Sequence, residues 1–589
     1  MESPAIARRQ ITFFLYAFLF VVVYGVSMLV PPMQSPDELD HLQRSYLLSH
    51  GQIFLETPAG ESSGGKVDTG LIGYLVNYAT LAGKPEARLS SDLQRRGEAA
   101  QWSGERGFSI LPGTGYYFPA IYAPQALALA IGEHLNFSID TSYRMARFFA
   151  LVAAMGLLIA AFKIYRPSPL ALIVLVLPMT IFQMTASTID GLSVALAFFA
   201  VSCFKRDMEA KGSDHKTFVM LAASIFLLVT CRAYMVPMVL MLIAPAVLYR
   251  SKKRMFVSVA ATVAAIAWIA LAMAHTVDLR FAGKVSSGEI AKHYLTDPVA
   301  LWNVVYSTLS NADLTSMYWQ SFIGKLGWLD TTIPMPIYVA ITSLIALAIL
   351  INVRASTFKQ SSSIILLTCG VASIVLVFVA MLVTWTPHPA QVILGVQGRY
   401  FAIPAILVLY AIGTKFDFSQ WFPTYIIVSA IFLVSASSMI PTLANRYYLS
   451  NAGVVSAAPL PPESKPGRKP SSPLPVNGKL IVTLPQDHSF SRIGVLFGTY
   501  QRVNEGNAVL LLSGEDGVDK RVVFKLSGLA DNKYHFFDVA PGRYKSAEIQ
   551  SEGNGGVSVW EYDSGRGRVS CVILEGPDKS RYTVPGCPE

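Results

Sequence analysis

The sequence predicts a polytopic α-helical membrane protein with about eleven transmembrane helices and a C-terminal, extracytoplasmic all-β sandwich. Two observations predict it. Of 589 residues, 52% are apolar and only 14% charged, with a mean hydropathy of +0.44, whereas soluble domains carry about 25% charge. The apolar residues also gather in runs such as Ile11 to Val30, long enough to cross roughly 30 Å of hydrocarbon. Such a composition excludes a disordered chain and a collagen, and five scattered cysteines exclude a disulfide miniprotein. The net charge of +9 does not require nucleic acid, because Lys and Arg collect in the short connections between apolar runs, where they set orientation.

The first run follows Arg8 and Arg9 and lacks a small-residue cleavage site, so it reads as a retained anchor with a cytoplasmic N-terminus. Further basic connections lie at Lys163 and Arg166, Lys205 to Lys216, Arg250 to Arg254, Arg354 and Lys359, and Lys415, and all should be cytoplasmic. The expected spans are about 11–30, 147–165, 169–187, 189–204, 217–232, 234–249, 255–274, 335–353, 363–385, 401–414 and 423–440, which puts the C-terminus outside. Tyr116 to Leu135 contains Pro119 and Pro124 and would invert every later loop if it crossed. It is therefore expected to be an interfacial or re-entrant helix. Residues 1–450 thus form the membrane domain, with two long outer loops at 31–146 and 275–334. The Pro/Ser-rich stretch 451–478 reads as an extended linker.

From 479 to 589 the composition turns to short β-branched and aromatic segments separated by Gly, Asn and Asp turns, as expected of a sandwich of roughly eight strands. Cys571 and Cys587 fall in this outer domain and are expected to form a disulfide. Cys203, Cys231 and Cys369 lie in or beside spans and read as packing residues.

The segment following the first span holds Asp37, Glu38, Asp40, His41 and Arg44 close to the membrane surface. With a helix starting near Pro36, these groups share one side, and a carboxylate there can act as general base toward a hydroxyl. The same cluster would also serve as a cap or a span anchor. Asp190, Arg232 and Arg399, followed by Tyr400, sit at the outer ends of spans. Ionisable groups at that depth are functional or paired, and a guanidinium suits a lipid phosphate. Arg144 and Arg147 are weaker candidates that would snorkel before a span. Trp328 beside Asp330 suits either an aromatic belt or a sugar face. The chain has no Walker loop, no HExxH and no metal-spaced Cys/His set.

Four segments, SPDELDHLQRS (35–45), ASTIDGL (186–192), FIGKLGWLDTTIP (322–334) and VQGRYFAIP (396–404), together resemble, in this order, a bacterial family of polytopic membrane proteins labelled a domain of unknown function and grouped with GT-C glycosyltransferases. The acidic pair also resembles the first outer loop of protein and GPI mannosyltransferases. The resemblance implies a GT-C-like glycosyltransferase of the bacterial inner membrane. It would transfer a sugar, with inversion, from a polyprenyl-phosphate donor to an envelope glycan, lipid-linked or other acceptor on the outer face.

Carried over, the acidic motif falls on Asp37 and Glu38 as catalytic residues. His41, Arg44, Asp190, Arg232, Trp328, Asp330, Arg399 and Tyr400 are the candidate substrate-binding residues. No cofactor is expected, although Asp37, Glu38 and Asp330 would gather a divalent cation if they converge. The β domain resembles carbohydrate-binding sandwiches of envelope glycosyltransferases through GVLFGTYQRVNEG. Competing readings are a transporter or flippase of a lipid-linked glycan, and a noncatalytic polysaccharide-binding protein.

Overall fold

The computed structural model describes residues 19–449 apart from 86, 280–286, 354–359 and 414–417, and 469–584 with 587 apart from several short turns. The chain forms two compact units, Met1–Ala452 and Gly453–Glu589.

In the first unit, five helices among the described residues are long and apolar enough to cross a membrane: Ile139–Ile164, Lys252–His275, Met335–Asn352, Ser361–Thr384 and Phe422–Tyr447. Shorter apolar helices run over Leu19–Leu29, His215–Cys231, Ala233–Leu248 and Gly398–Ile412. The start of the first expected span lies outside the described residues. The expected span 169–187 is two short helices, Pro169–Val176 and Pro178–Met184, because Pro178 has no N–H to continue the ladder. The helix Asp190–Glu209 is buried on nearly every side, as an all-round apolar helix must be when protein surrounds it. Its first turn packs against the broken pair at Gly191, where a Cβ would approach the Met184 Cα to 2.9 Å.

Helix Ile139–Ile164 begins earlier than the sequence reading placed its span. Arg144 and Arg147 are therefore helical residues rather than groups preceding a span. The proline-containing stretch 116–135 folds as a turn of 3-10 helix, Pro119–Tyr122, and the 12-residue helix Ala123–His134. At 1.5 Å per residue that helix covers about 18 Å, well short of roughly 30 Å. It packs on helix Glu38–Ser49, whose own first residue follows the left-handed Asp37, φ 64°.

The second unit is an antiparallel ten-stranded sheet. Strand Lys533–Glu552 is its spine. Its first half pairs with Ser489–Gly498 and its second half with Asn507–Gly514, with register breaks between Asp538 and Gly542 and between Tyr544 and Ser546. Bulges of this kind bend a strand, and the two halves close over one core that includes Val495, Phe497, Leu510, Leu512 and Ile549. A disulfide joins Cys571 to Cys587, with Cα atoms 5.4 Å apart, while Cys203, Cys231 and Cys369 are free and buried.

The bond closes a loop with a sequence separation of 16, for which the chain-entropy model gives about 3 kcal/mol. Mass spectrometry after alkylation of the intact protein should show Cys571 and Cys587 labelled only after reduction. Reduction should lower the stability of this unit by that order.

Candidate functional site

The loop Val30–Asp37 leaves the first apolar helix and carries two left-handed residues, Met33 (φ 62°) and Asp37 (φ 64°). Such conformations cost a non-glycine residue energy and persist only where surrounding contacts impose them. Here the contacts are explicit. Trp328 Nε1 donates to the Met33 carbonyl at 2.8 Å. Gln34 Nε2 donates to the carbonyls of Pro32 and Tyr78 at 2.9 and 3.0 Å. Glu38, fully buried, takes Arg147 on both carboxylate oxygens at 3.2 Å, the Tyr143 hydroxyl at 2.8 Å and the Ser187 N–H at 2.8 Å.

Glu38, expected from the sequence to act with Asp37, is the brace beneath the loop: it is sealed from solvent and both its oxygens are engaged. Arg147 also donates to the carbonyls of Ser27, Val30 and Pro31 at 3.1, 2.8 and 3.2 Å.

Asp37 stands on top of this brace, with its side chain 57% exposed. Its Oδ2 accepts from Arg399 Nη2 at 2.6 Å. The other terminal nitrogen of Arg399 donates to Asp190 Oδ2 at 2.9 Å, and Asp190 Oδ1 accepts from Arg232. The result is a chain of alternating charge, Asp37–Arg399–Asp190–Arg232, in which every member but Asp37 is largely buried. Gln183, Asp190, Ser193, Arg232, Arg399 and Tyr400 line one narrow crevice.

Three segments converge to make it: the N-terminus of Asp190–Glu209, the residue after His215–Cys231, and the 3-10 turn Gly398–Phe401. Only glycine fits at 398, because a Cβ there would lie 2.1 Å from the Phe322 nitrogen and 2.2 Å from the Tyr318 carbonyl oxygen. The Arg399 guanidinium lies 5.4 Å from the Tyr400 ring, and that of Arg232 lies 5.9 Å from Tyr117.

Burial pushes Asp37 up, but the guanidinium of Arg399, then His41, the Arg399 hydrogen bond and Arg232, outweigh it and hold the carboxyl below its ordinary value. Although accessible, Asp37 is ringed by protein, as a group on the wall of a recess is. It stays ionised at neutral pH. His41 is driven down to about 3, first by burial, with Asp37 opposing and Arg232 and Arg399 adding to the shift. It is neutral at physiological pH, its Nδ1 2.8 Å from the Tyr122 hydroxyl, its ring stacked near Tyr117.

The remaining candidates part company with the site. Arg44 is fully buried and donates to the carbonyls of Gln52 and Ile53, so it ties down the end of its own helix instead of meeting a substrate. Asp330 pairs with Arg446 at 3.0 Å and accepts from Thr331 at 2.8 Å. It sits in the hairpin Lys325–Leu326/Thr331–Thr332, turned by Gly327 and Leu329 at positive φ. Asp37, Glu38 and Asp330 do not converge, each pairing with a different arginine: Arg399, Arg147 and Arg446. Among the described residues no group of three His, Cys, Asp or Glu side chains is placed to hold a metal. Trp328, 37% exposed, braces the loop through its indole N–H.

The residues that sequence reasoning underrated are Arg147 and Arg446. Each is an arginine set in an apolar helix, which is itself a signal, since an ionisable group inside such a helix must find a partner. The signal was weakened at Arg147 because the span was taken to begin there.

Comparison with known families matches residues 18–440 to the family described as Predicted membrane protein (DUF2142). The chain belongs to the DUF2142 family. It is therefore membrane-embedded, in agreement with its apolar helices. No curated protein matches the sequence. The DUF2142 stretch holds the four motif segments and also Arg232, and it ends before the β unit.

Two predictions follow from this geometry. Glu38→Gln or Arg147→Met leaves a buried charge unpaired and should cost about 3–5 kcal/mol, read as a loss of thermal stability of the full chain in nanodiscs. His41 remains neutral in the folded state while its unfolded counterpart takes a proton below 6.5, so stability should fall as pH drops from 6.5 toward 3. His41→Gln should flatten that slope between pH 6.5 and 4.5, measured by thermal unfolding at constant ionic strength.

Proposed function

We propose that this protein is a GT-C-like, inverting glycosyltransferase. It would take a sugar from a polyprenyl-phosphate donor and pass it to an envelope glycan or other acceptor on the outer face of a bacterial inner membrane. The observation that carries the reading is the Asp37–Arg399–Asp190–Arg232 chain, which supplies the two groups that such a reaction needs side by side. A lipid-linked donor keeps its phosphate at the membrane surface. A guanidinium at that depth can grip the phosphate oxygens and stabilise the departing lipid phosphate. An ionised carboxylate beside it can take the proton of the acceptor hydroxyl as that oxygen attacks the anomeric carbon. Direct displacement inverts the anomeric centre.

The charge chain adds an order of events. Arg232 and one terminal nitrogen of Arg399 are held by buried Asp190, whereas the other terminal nitrogen of Arg399 is held by exposed Asp37. A phosphate approaching from the crevice competes with Asp37, the most accessible member. Exchange of carboxylate for phosphate on Arg399 releases Asp37 from its partner, which raises its basicity at the moment the donor is bound. Tyr400 and Tyr117, each beside one arginine, are placed to cover the bound headgroup.

A transporter of lipid-linked glycans would use paired inverted halves, and the sequence carries no internal repeat that would pair two such halves. The β unit, joined through the Pro-rich stretch, fits an accessory role in holding glycan, in keeping with its resemblance to carbohydrate-binding sandwiches.

Asp37→Asn tests both parts. Sugar transfer in proteoliposomes should drop to background, while binding of polyprenyl phosphate should be unchanged or tighter, because the competing carboxylate charge is gone. Retained transfer would remove Asp37 as the base, and weakened phosphate binding would refute the exchange on Arg399. Arg399→Ala should weaken donor use more than acceptor use, read from the two apparent KM values.

A further inference from the structure

The second long connection, between the apolar helices Lys252–His275 and Met335–Asn352, contains the helices Ser287–Thr296, Pro298–Ser310 and Ala312–Ile323. The middle one, PVALWNVVYSTLS, carries no charged residue. Its Val304 and Thr308 are buried, and Val304 belongs to a cluster with Val377 and Leu382 in the closing turns of Ser361–Thr384. The helix therefore rests at the end of an apolar helix long enough to cross the membrane.

On the other side, Val299, Trp302, Tyr306 and Leu309 are 67%, 68%, 63% and 50% exposed. At about 100° per residue these four fall in one arc of about 80°. Leu295, 81% exposed, lies near the end of the preceding helix Ser287–Thr296. Beside that arc, and equally uncovered, lie Asn303 and Ser307.

We propose that this face is a membrane contact: Val299, Trp302, Tyr306 and Leu309 sit in the lipid interface of the leaflet at which helix Lys252–His275 ends, with Asn303 and Ser307 turned to water. The occupant is lipid for three reasons. Both ends of the connection are tethered to membrane-crossing apolar helices, which keeps it at the surface. The exposed face is itself divided into an apolar and a polar half, the arrangement of a helix lying in the interface plane, with Trp and Tyr at headgroup level. The helix carries no charge, so the attraction comes from apolar burial and not from anionic headgroups.

The seat bears on the crevice. Thr308 Oγ1 accepts from the Ile393 N–H at 2.8 Å, and Ser321 Oγ accepts from the Gly398 N–H at 2.8 Å. The lipid contact thereby sets the depth of the segment that carries Arg399. The inference rests on membrane embedding alone and stands or falls separately from sugar transfer.

The test uses the full chain in nanodiscs of phosphatidylethanolamine and phosphatidylglycerol, spin-labelled in turn at Trp302→Cys, Tyr306→Cys and Leu309→Cys, and at Asn303→Cys and Ser307→Cys. The first three labels should collide with oxygen more than with a water-soluble nickel chelate, and the other two should show the reverse. The pattern should be the same in pure phosphatidylcholine. Five wet labels would overturn the proposal. So would three labels shielded from both probes, the result expected were a second copy of the chain to cover the face.

A milder variant guards against misfolding. Trp302→Phe should reduce the share of tryptophan emission quenched by doxyl-labelled lipid, and an unchanged share would likewise overturn the proposal.

Discussion

Everything that positions the crevice depends on one buried ion pair. Removing a carboxylate and a guanidinium from water costs several kcal/mol per ion, and their attraction repays this only when the remaining donors and acceptors are filled. Glu38 and Arg147 meet that condition. Between them they engage a hydroxyl, a backbone N–H from the second motif segment and three carbonyls of the turn leaving the first apolar helix. The pair thereby fastens three separate parts of the chain, and it does so directly below a residue in the left-handed region. The strain at Asp37 is sustained by its immediate neighbour in sequence, which explains why two adjacent acids have opposite fates: one is sealed and structural, the other is lifted into the recess.

A second constraint is the even balance of charge in the crevice. Two arginines face two aspartates, so the buried guanidiniums are neutralised without any ligand. The balance is asymmetric in accessibility, with one aspartate enclosed and one open. On the proposed reading an anion would enter by trading places with the open partner, at lower cost than prising apart the enclosed pair. Burial first, and then the neighbouring Arg232 and Arg399, hold His41 neutral against the opposing pull of Asp37. A neutral imidazole beside Tyr117 and Tyr122 contributes shape and hydrogen bonding to the wall rather than charge.

How much of this was legible in the sequence depends on the range of the interaction. Apolar runs marked the long helices, because burial in lipid is written into composition over about twenty residues. The cysteines of the β unit, its turns and the four motif segments were equally visible. Arg232, Arg399, Asp190 and Asp37 could be picked out singly, since an ionisable group at the end of an apolar helix is costly and stands out. Their mutual pairing could not, because it joins residues up to 362 positions apart. The same limit hid the division of labour inside the motifs. Glu38, Trp328 and Asp330 have the chemistry of a site, yet each is consumed by a long-range hydrogen bond or ion pair that no local spacing announces, and Arg44 is taken by the carbonyls just past its own helix. The break at Pro178 was readable in principle, but hydropathy alone smooths over a proline within a run of apolar residues.

The motif segments thus turn out to be one construction seen at four points along the chain. The first supplies the open acid and its brace. The second supplies the N–H that helps hold the brace, and the enclosed acid a few residues on, at a glycine-permitted close approach. The third supplies the indole that pins the loop and the hairpin that engages Arg446. The fourth supplies the arginine that links the two acids, on a turn that only glycine can seat against Ala312–Ile323. Because Gly398 is hydrogen-bonded to that helix and the helix continues from one whose apolar face is uncovered, the height of Arg399 relative to the lipid surface is set by packing. It is not left to the reach of a flexible side chain. The site proposed above, for a lipid-borne anion, would need that property above others, since the anion's depth is fixed by the bilayer and the protein must meet it there.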